Sequence, residues 1–481
     1  MGHAVSDHGQ YASPLNTRYA SPAMRELFGE QRRIGWWRRI WVALAEAERE
    51  LGVNIPEGAI AEMRRAVDDI DFARATEFES RFRHDVMAHV HTFGEKAPAA
   101  RAFIHLGATS AFVTDNADLI LAREGLKLVR ARIGAVLRAL REFAARHRAL
   151  PTLAYTHFQP AQLTTVGKRA TLWMQDFVAD AAEIDHRLER LQLLGCKGTT
   201  GTQASFLDLL GRDHEKVRRL DVLVAKKLGF QQVVPVSGQT YPRKVDAQLL
   251  ALLAGIAQSA AKMAADLRLL QHLGEVLEPF GSEQIGSSAM AYKRNPMRSE
   301  RMGSLARYVM HLPADASETA AQQWLERTLD DSANRRIVLP ESFLAVDAIL
   351  VLAADVARGL EVREGVVRRH AMGELPFMAT ERCLMLGVQA GGDRQALHEV
   401  IRRHSLEVAR AVAEDGAPND LIQRLAADPA FRGADLAGVA KDLDPLHFVG
   451  RAPEQVDEFL REIADPLIAR LPEPPPAEVR V

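Results

Sequence analysis

The sequence predicts an all-α protein whose subunit is built around a central bundle of long helices. Three stretches carry apolar residues at the alternating three- and four-residue spacing of a helical seam. Each stretch is about 30 residues or longer, which corresponds to a helix of about 45 Å. Strand signals are few, and the best covers residues 230–236. An elongated bundle is therefore expected.

Size and composition narrow the class of protein. The 481 residues exceed one typical core, so two or three domains are expected. The net charge of −2 gives no overall attraction to nucleic acid or to a membrane surface, and we find no apolar run approaching the roughly 20 residues of a membrane span. Only Cys196 and Cys383 are present, and the first residues do not resemble a signal peptide. These features predict a cytoplasmic protein.

The N-terminal third begins with a stretch of turn-forming residues. Residues 11–22 are expected to form an extended arm that carries Arg18 and Tyr19. From Ile34, apolar residues recur at helical spacing until Gly52, which is a plausible stop. Shorter helices are expected to follow to about residue 100.

The middle third contains the long helices, and a further helical run covers residues 342–360. Their apolar surface exceeds what one narrow seam needs, which favours subunit association, with a large monomeric bundle as the alternative. A more polar segment follows from Arg363, and the proline-rich end reads as a loose tail. The seams consist of Leu126, Val129, Ile133, Val136, Leu140 and Phe143, of Phe177, Ala181, Ile184, Leu188 and Leu191, and of Val245, Leu249, Leu252, Ile256, Ala260, Met263, Leu267 and Leu270.

A loop at residues 281–300 is the segment most clearly suited to meet an anion. Gly286, Ser287 and Ser288 free the backbone to bring amides and hydroxyls close to a ligand. The cations Lys293, Arg294, Arg298 and Arg301 follow in the same segment and the helix after it. A solvated surface loop with chance charge is the alternative.

Four further clusters carry polar chemistry. Residues 83–91 hold three imidazoles, which we interpret as pocket-lining groups rather than metal ligands because no His-Glu-x-x-His pair occurs. Residues 105–110 precede a long helix and suit either anion binding or simple N-capping. Residues 152–162 hold His157, which is either structural or catalytic. Residues 326–336 hold arginines that either grip a phosphate or pair with Asp330 and Asp331 as a surface cluster.

Other enzyme classes lack their motifs in this chain. No Walker loop, dinucleotide glycine fingerprint or zinc-type cysteine spacing occurs, so kinase, dehydrogenase and zinc-enzyme interpretations are not supported.

Several motifs together resemble the fumarase/aspartase superfamily and, within it, the adenylosuccinate lyase family of the animal type. The likeness covers roughly residues 11–470. The motifs that carry it are Arg83-His-Asp-Val-Met-Ala-His, Thr156-His-Phe-Gln-Pro-Ala-Gln, Lys197-Gly-Thr-Thr-Gly-Thr-Gln-Ala-Ser, Ser237-Gly-Gln-Thr-Tyr, Gly286-Ser-Ser-Ala-Met-Ala-Tyr-Lys-Arg-Asn-Pro and Arg327-Thr-Leu-Asp-Asp-Ser-Ala-Asn-Arg-Arg.

The resemblance implies an architecture and an activity. It implies a homotetramer in which each active site is assembled from three subunits. It also implies three domains in each subunit, and we place these domains at residues 1–111, 112–364 and 365–481. The implied reaction releases fumarate from adenylosuccinate, giving AMP, and from SAICAR, giving AICAR, without metal or organic cofactor. The alternatives are another lyase of the superfamily, such as argininosuccinate lyase or a fumarase, and a non-catalytic helical scaffold.

The resemblance also implies roles for single residues. Ser287 matches the base, His157 the general acid, Glu300 a carboxylate against that histidine, and Lys293 a cation that stabilises the alkoxide or the carbanionic intermediate. The positions that match substrate contacts are Arg18, Tyr19, His84, Asp85, Thr109, Ser110, Thr156, Gln239, Asn295, Arg301, Arg327, Ser332 and Arg336.

One position of the loop departs from the family. The family has Met-Pro where this chain has Met290-Ala291. Proline limits the open conformations of a loop, so Ala291 is expected to make closure costlier by about 0.4–1 kcal/mol. We predict reduced turnover with the chemistry retained.

Overall fold

The computed structural model describes residues 9–281, 283–286, 288–290 and 292–479. The predicted all-α class is confirmed: helices dominate, and the strands form two small two-stranded sheets. The helices of the described residues are α1 Pro22–Leu27, α2 Glu30–Glu50, α3 Glu57–Ala66, α4 Phe72–Phe82, α5 Asp85–Lys96, α6 Ser110–Arg146, α7 Val166–Arg190, α8 Ala204–Leu209, α9 His214–Lys227, α10 Lys244–His272, α11 Met297–Ala321, α12 Asp331–Arg358, α13 Glu364–Met378, α14 Thr380–Gln389, α15 Arg394–Asp415, α16 Leu421–Ala427, α17 Leu436–Lys441, α18 Ala452–Phe459 and α19 Asp465–Ile468.

The central bundle consists of α6, α7, α10, α11 and α12, whose apolar residues form one continuous core. The three predicted seams lie on α6, α7 and α10, apart from Leu191, which follows α7. The helix predicted from Ser342 begins earlier, at Asp331, and the helix expected after residues 281–300 is α11, whose bounds were not predicted. Close packing is visible at Gly125, where an added Cβ would lie 2.8 Å from the ring of Phe343.

A second core holds α2, α3, α5 and α9 against the first turns of α6. The chain between α7 and α10 contributes to it, including Phe230 and Val234. The strand predicted at residues 230–236 is wrong, because this stretch forms only one isolated bridge, between Leu193 and Val233. Phe230 and Val234 are buried without a partner strand, while Val236 is exposed.

A β-hairpin separates α6 from α7. Strands β1 Pro151–Thr156 and β2 Gln159–Thr165 pair antiparallel, and His157 and Phe158 form the turn between them. The hairpin packs Leu153 and Leu163 against α13. The second sheet, β3 Val276–Leu277 with β4 Glu361–Val362, joins the end of α10 to the end of α12.

Both ends of the chain differ from the predictions. The arm is not extended throughout, because Leu15–Tyr19 forms a single helical turn before α1. The C-terminal end is not loose, because two arginines of α6 hold it: Arg132 Nη1 donates to the carbonyl of Pro475 at 2.7 Å and Arg138 Nη2 to that of Pro472 at 3.3 Å. Proline excludes helix but leaves carbonyls free to accept these bonds.

Two helices are long and apolar enough to cross a membrane, contrary to the prediction from the sequence. They are α10 and α12, with mean hydropathy of 1.2 and 2.1 over an 18-residue window. Both lie in the bundle core, with 56% and 83% of those windows buried. Burial among other helices accounts for their apolar character.

The C-terminal region forms a smaller core of its own from α14 to α17, between Ala379 and Val439. Helices α18 and α19 then return to the central bundle, where Val456, Leu460 and Leu467 are buried. The three-domain division at residues 111 and 364 stays a prediction.

Candidate active site

Eight of the predicted substrate-binding residues line one cavity of about 800 Å³. Helices α5, α6 and α12 supply most of its wall, together with the loops that precede α10 and α12. A volume of this size suits a ligand of nucleotide dimensions. The eight residues are His84, Asp85, Thr109, Ser110, Gln239, Arg327, Ser332 and Arg336.

The start of α5 faces the start of α6 in this cavity. His84 caps α5 by accepting a hydrogen bond from the Met87 amide at Nδ1, 3.4 Å away, and its Nε2 lies 3.3 Å from the Ser110 hydroxyl. Because Nδ1 accepts, the neutral ring carries its proton on Nε2 and donates to Ser110. Thr109 makes no side-chain capping bond at α6, which leaves its hydroxyl available for a ligand.

Two arginines of the cavity, Arg327 and Arg336, are paired with carboxylates. Arg327 Nη1 lies 3.0 Å from both oxygens of Asp331, and Arg336 Nη2 lies 2.5 Å from Asp85 Oδ2. Asp331 is 1% exposed, so the alternative of a solvated surface charge cluster is wrong for this residue. Burial opposes ionisation of Asp85, but Arg336 and the Val86 amide outweigh it and lower the pKa of Asp85.

A buried ionic network forms the floor of the cavity, and the sequence motifs did not reveal it. Arg243 donates to both oxygens of Asp115 at 2.9 and 3.1 Å and to Asp331 at 2.6 Å. Arg335 donates to Asp246 at 2.8 Å. The network thus joins α6, α10 and α12, three helices whose side chains line the cavity.

Arg335 was one of the arginines considered for phosphate binding. It is 8% exposed and pairs with Asp118 and Asp246, and its Nη2 donates to the Tyr241 hydroxyl. It is therefore a structural partner of the network. The sequence held one signal of this structural role: Arg335 follows Asp331 by four residues, and residues at that spacing share one face of a helix.

Arg18, Tyr19 and Arg301 lie apart from this cavity and line a small cleft together with Val479. The guanidinium carbons of Arg18 and Arg301 lie 6.0 and 5.7 Å from the centre of the Tyr19 ring. Neither arginine forms an ion pair with a described residue, and burial lowers the pKa of Arg301. Two unpaired guanidinium groups beside one phenol suit an anionic ligand.

The predicted acid, His157, lies at the exposed tip of the β1–β2 hairpin, next to the exposed Thr156. His157 and Phe158 both have left-handed backbone angles, with φ of 53° and 56°, as a two-residue hairpin turn requires. His157 makes no hydrogen bond or ion pair with any described residue. The hairpin therefore presents the imidazole outward.

The predicted base, Ser287, and Ala291 lie outside the described residues. Around them, the side-chain amide of Asn295 donates to the Gly286 carbonyl at 2.6 Å, and the backbone amide of Lys293 donates to the Met290 carbonyl at 3.1 Å. An added Cβ at Gly286 would lie 2.0 Å from the Lys293 carbonyl, so this approach requires glycine. The side chain of Lys293 is exposed.

Glu278, which no sequence motif indicated, holds the C-terminal end of the loop at residues 281–300. Its buried carboxylate accepts hydrogen bonds from the amides of Arg298 and Ser299, both at 2.9 Å, and from the Ser299 hydroxyl at 3.0 Å. It thereby caps α11, which carries Glu300 and Arg301. Glu300 is exposed and forms no ion pair with His157 within one chain, so the expected contact between them is absent here.

Among the described residues, no group of three or more His, Cys, Asp and Glu side chains has the arrangement of a metal site. The three imidazoles of residues 83–91 are separated accordingly. His84 faces the cavity, His89 packs edge-on against Trp37, and His91 stacks on Phe78.

Comparison with known proteins identifies the family. A family model described as lyase matches residues 18–311, and one described as adenylosuccinate lyase C-terminus matches residues 376–459. The adenylosuccinate lyase of Saccharomyces cerevisiae is 50% identical over 95% of both chains. The chain belongs to the adenylosuccinate lyase family. Membership confirms the resemblance and makes the protein a lyase.

Two further relatives agree with this assignment. The adenylosuccinate lyase of the animal Schistosoma mansoni is 46% identical and covers 96% of this chain and 97% of its own. Among solved structures, fumarate lyase from Mesorhizobium sp. BNC1 superimposes with a TM-score of 0.79 and 26% identity over 94% of this chain and 100% of that chain. The fold is that of the fumarase/aspartase superfamily.

Proposed function

We propose that the protein catalyses the β-elimination of fumarate from adenylosuccinate, leaving AMP, and from SAICAR, leaving AICAR. The observation that carries the proposal is the convergence of eight family-matched side chains on one cavity of nucleotide size. Family membership supports the same reaction.

The charges of the two clefts match the chemistry of such a substrate. A succinylated nucleotide carries one phosphate and two carboxylates, which amount to up to about four negative charges. Arg327 and Arg336 offer guanidinium groups in the large cavity, and Arg18 and Arg301 offer unpaired ones in the small cleft. Both clefts thus offer guanidinium groups to an anionic ligand on a chain whose net charge is −2.

The proposed mechanism needs a base at the carbon beside a carboxylate and an acid for the departing nitrogen. Ser287 is the proposed base and His157 the proposed acid. Lys293 and Asn295 would stabilise the charge that develops on the carboxylate, and Glu300 would hold the imidazole. The exposed tip position of His157 supports its role toward a ligand held elsewhere.

We propose that these groups meet across subunits of a homotetramer. The side chains of His157 and Glu300 are exposed and form no ion pair with a described residue, and the loop that leads to α12 exposes three large apolar side chains. Trp324 is 70% exposed, Leu325 97% and Leu329 70%, immediately beside Arg327. Apolar side chains at such exposure favour contact with another subunit.

The test is to add the purified protein to adenylosuccinate and to follow fumarate release by ultraviolet absorbance. Release is expected with adenylosuccinate and with SAICAR. Release from argininosuccinate but not from adenylosuccinate would overturn the assignment, and release from neither substrate would favour the scaffold alternative.

Two variants test the proposed roles. Ser287→Ala and His157→Ala should each abolish turnover while the oligomeric mass stays unchanged, and a variant that remains active displaces its residue from the mechanism. Ala291→Pro tests the loop departure: we expect faster turnover, and unchanged turnover and affinity would contradict that expectation.

The location of the protein in the cell also stays a proposal. Both cysteines are free and buried, which suits the reducing cytoplasm that the sequence predicts.

A further inference from the structure

The two ends of the chain meet the same buried ion pair inside the bundle. Arg132 of α6 and Asp347 of α12 are 4% and 0% exposed, and Arg132 Nε donates to Asp347 Oδ1 at 3.0 Å. A buried pair of this kind is not by itself a source of stability, because desolvation offsets the attraction. What the pair connects is therefore of more interest than the pair itself.

On one side the pair holds the N-terminal arm. Asp347 Oδ2 accepts a hydrogen bond from the Ser21 amide at 2.7 Å. Ser21 caps α1 with its hydroxyl and follows Arg18 and Tyr19 by three and two residues. This bond fixes the point at which the arm enters the bundle and hence the direction in which the two ligand-binding side chains leave it.

On the other side the pair holds the C-terminal tail, which we define as residues 472–479. Arg132 Nη1 donates to the Pro475 carbonyl at 2.7 Å, while its Nη2 is buried without a partner. The tail then continues to Val479, which lines the cleft of Arg18, Tyr19 and Arg301. Tail, ion pair and arm thus form one connected path.

We infer that Arg132, Asp347 and the C-terminal tail are positioning elements that hold Arg18 and Tyr19 beside Arg301 for substrate binding. We call the path Pro475–Arg132–Asp347–Ser21 the arm relay. The inference rests on the proposed function for its effect on the substrate, but the relay itself is independent of which substrate is used. It acts through Arg18 and Tyr19 and touches no reacting atom.

A tail truncation tests the relay without leaving a buried charge unpaired. Removal of residues 474–481 takes away the Pro475 carbonyl and Val479 but keeps Arg132 and Asp347 together. We expect the Ser21 amide to exchange its hydrogen about tenfold faster, and KM for adenylosuccinate to rise about tenfold with kcat within about twofold. If the tail had only a structural role, the truncation would lower kcat and would lower the protection of amide hydrogens from exchange throughout the bundle, not only at Ser21.

Arg138→Gln is a milder second variant, because Arg138 bonds to the carbonyls of Leu471 and Pro472 and sits outside the relay. It should shift KM in the same direction by about two- to threefold. Asp185→Asn is the matched control: Asp185 of α7 pairs with Arg130, which lies on α6 as Arg132 and Arg138 do, and Asp185 does not contact the arm. Its KM and Ser21 exchange should equal those of the unmodified protein.

Three results would overturn the inference. They are an unchanged Ser21 exchange rate in the truncated protein, an unchanged KM, and a loss of kcat at constant KM. If the unmodified protein releases no fumarate, the proposed function fails, and the Ser21 exchange rate alone then decides whether the relay exists.

Discussion

Removal of the Glu278 carboxylate should free the first turn of α11 and slow turnover. This carboxylate accepts three hydrogen bonds, from the amides of Arg298 and Ser299 and from the Ser299 hydroxyl. Ser299 is fully buried and Glu278 is 3% exposed, so bulk water does not reach the position of the lost acceptor in Glu278→Ala. The perturbation therefore leaves three donors unsatisfied at a helix N-terminus.

The magnitude follows from those donors. One unsatisfied buried donor costs about 1–3 kcal/mol, and loss of an N-cap typically costs about 1 kcal/mol. We expect about 3 kcal/mol for Glu278→Ala and about half of that for Glu278→Gln, which keeps one acceptor oxygen. A loss of 3 kcal/mol corresponds to about a 150-fold faster exchange of the Ser299 amide hydrogen. Turnover should fall about tenfold, because Glu300 lies in the same turn.

Site-resolved hydrogen exchange and initial rates of fumarate release measure the two effects. Glu189→Ala is the matched control, because Glu189 is an exposed glutamate of α7 that forms no ion pair with a described residue. Equal Ser299 exchange and equal turnover in Glu278→Ala and in Glu189→Ala would refute the reasoning.

Three further predictions concern charge and backbone strain. Arg336→Gln should return the lowered pKa of Asp85 toward its ordinary value. In the unmodified protein, the stability that this ion pair contributes is present above the ordinary pKa of Asp85 and is lost as the pH falls through the lowered pKa. Acid unfolding should therefore begin at a higher pH in the variant. The buried carboxyl of Glu48 has no hydrogen-bond partner among the described residues, and burial raises its pKa to about 9. The folded protein therefore keeps a proton that the unfolded chain releases, and stability falls as pH rises from about 5 to 9, so Glu48→Gln should flatten the pH dependence of the thermal midpoint. His157→Asn combined with Phe158→Gly relieves two left-handed residues and should raise stability by about 1 kcal/mol in thermal unfolding while turnover is lost; an unchanged or lower midpoint would contradict the strain argument.

The sequence predicted those helices whose burial is periodic. The seams of α6, α7 and α10 repeat every three and four residues, and each lies in the core. Helix α11 also buries Met302, Ala306, Val309 and Ala316 in the same core at three-, four- and seven-residue steps, but small alanines make half of this seam and leave the pattern weak. The first turns of α12 hold buried Asp331 and Arg335 in place of an apolar seam. Periodicity detects large apolar side chains, so a helix start that is held by ion pairs escapes it.

The prediction failed in another way where side chains bond to distant backbone. The proline-rich tail contains no pattern that points to Arg132 or Arg138, more than 300 residues earlier, yet both bind its carbonyls. The strand predicted at residues 230–236 failed for the opposite reason, since Phe230 and Val234 are buried without a ladder of hydrogen bonds. Composition records which side chains prefer burial but not which backbone groups remain to be satisfied.

The paired arginines of the large cavity would make binding of the proposed substrate an exchange of counter-ions. Arg327 and Arg336 hold the carboxylates of Asp331 and Asp85, so a phosphate would meet guanidinium groups whose charge is largely neutralised. A small inorganic anion would gain little by competing with a carboxylate at 2.5–3.0 Å, whereas a ligand with several contacts would gain enough elsewhere to share the guanidinium edge. We therefore expect the cavity to bind free anions weakly and a ligand with several contacts more tightly.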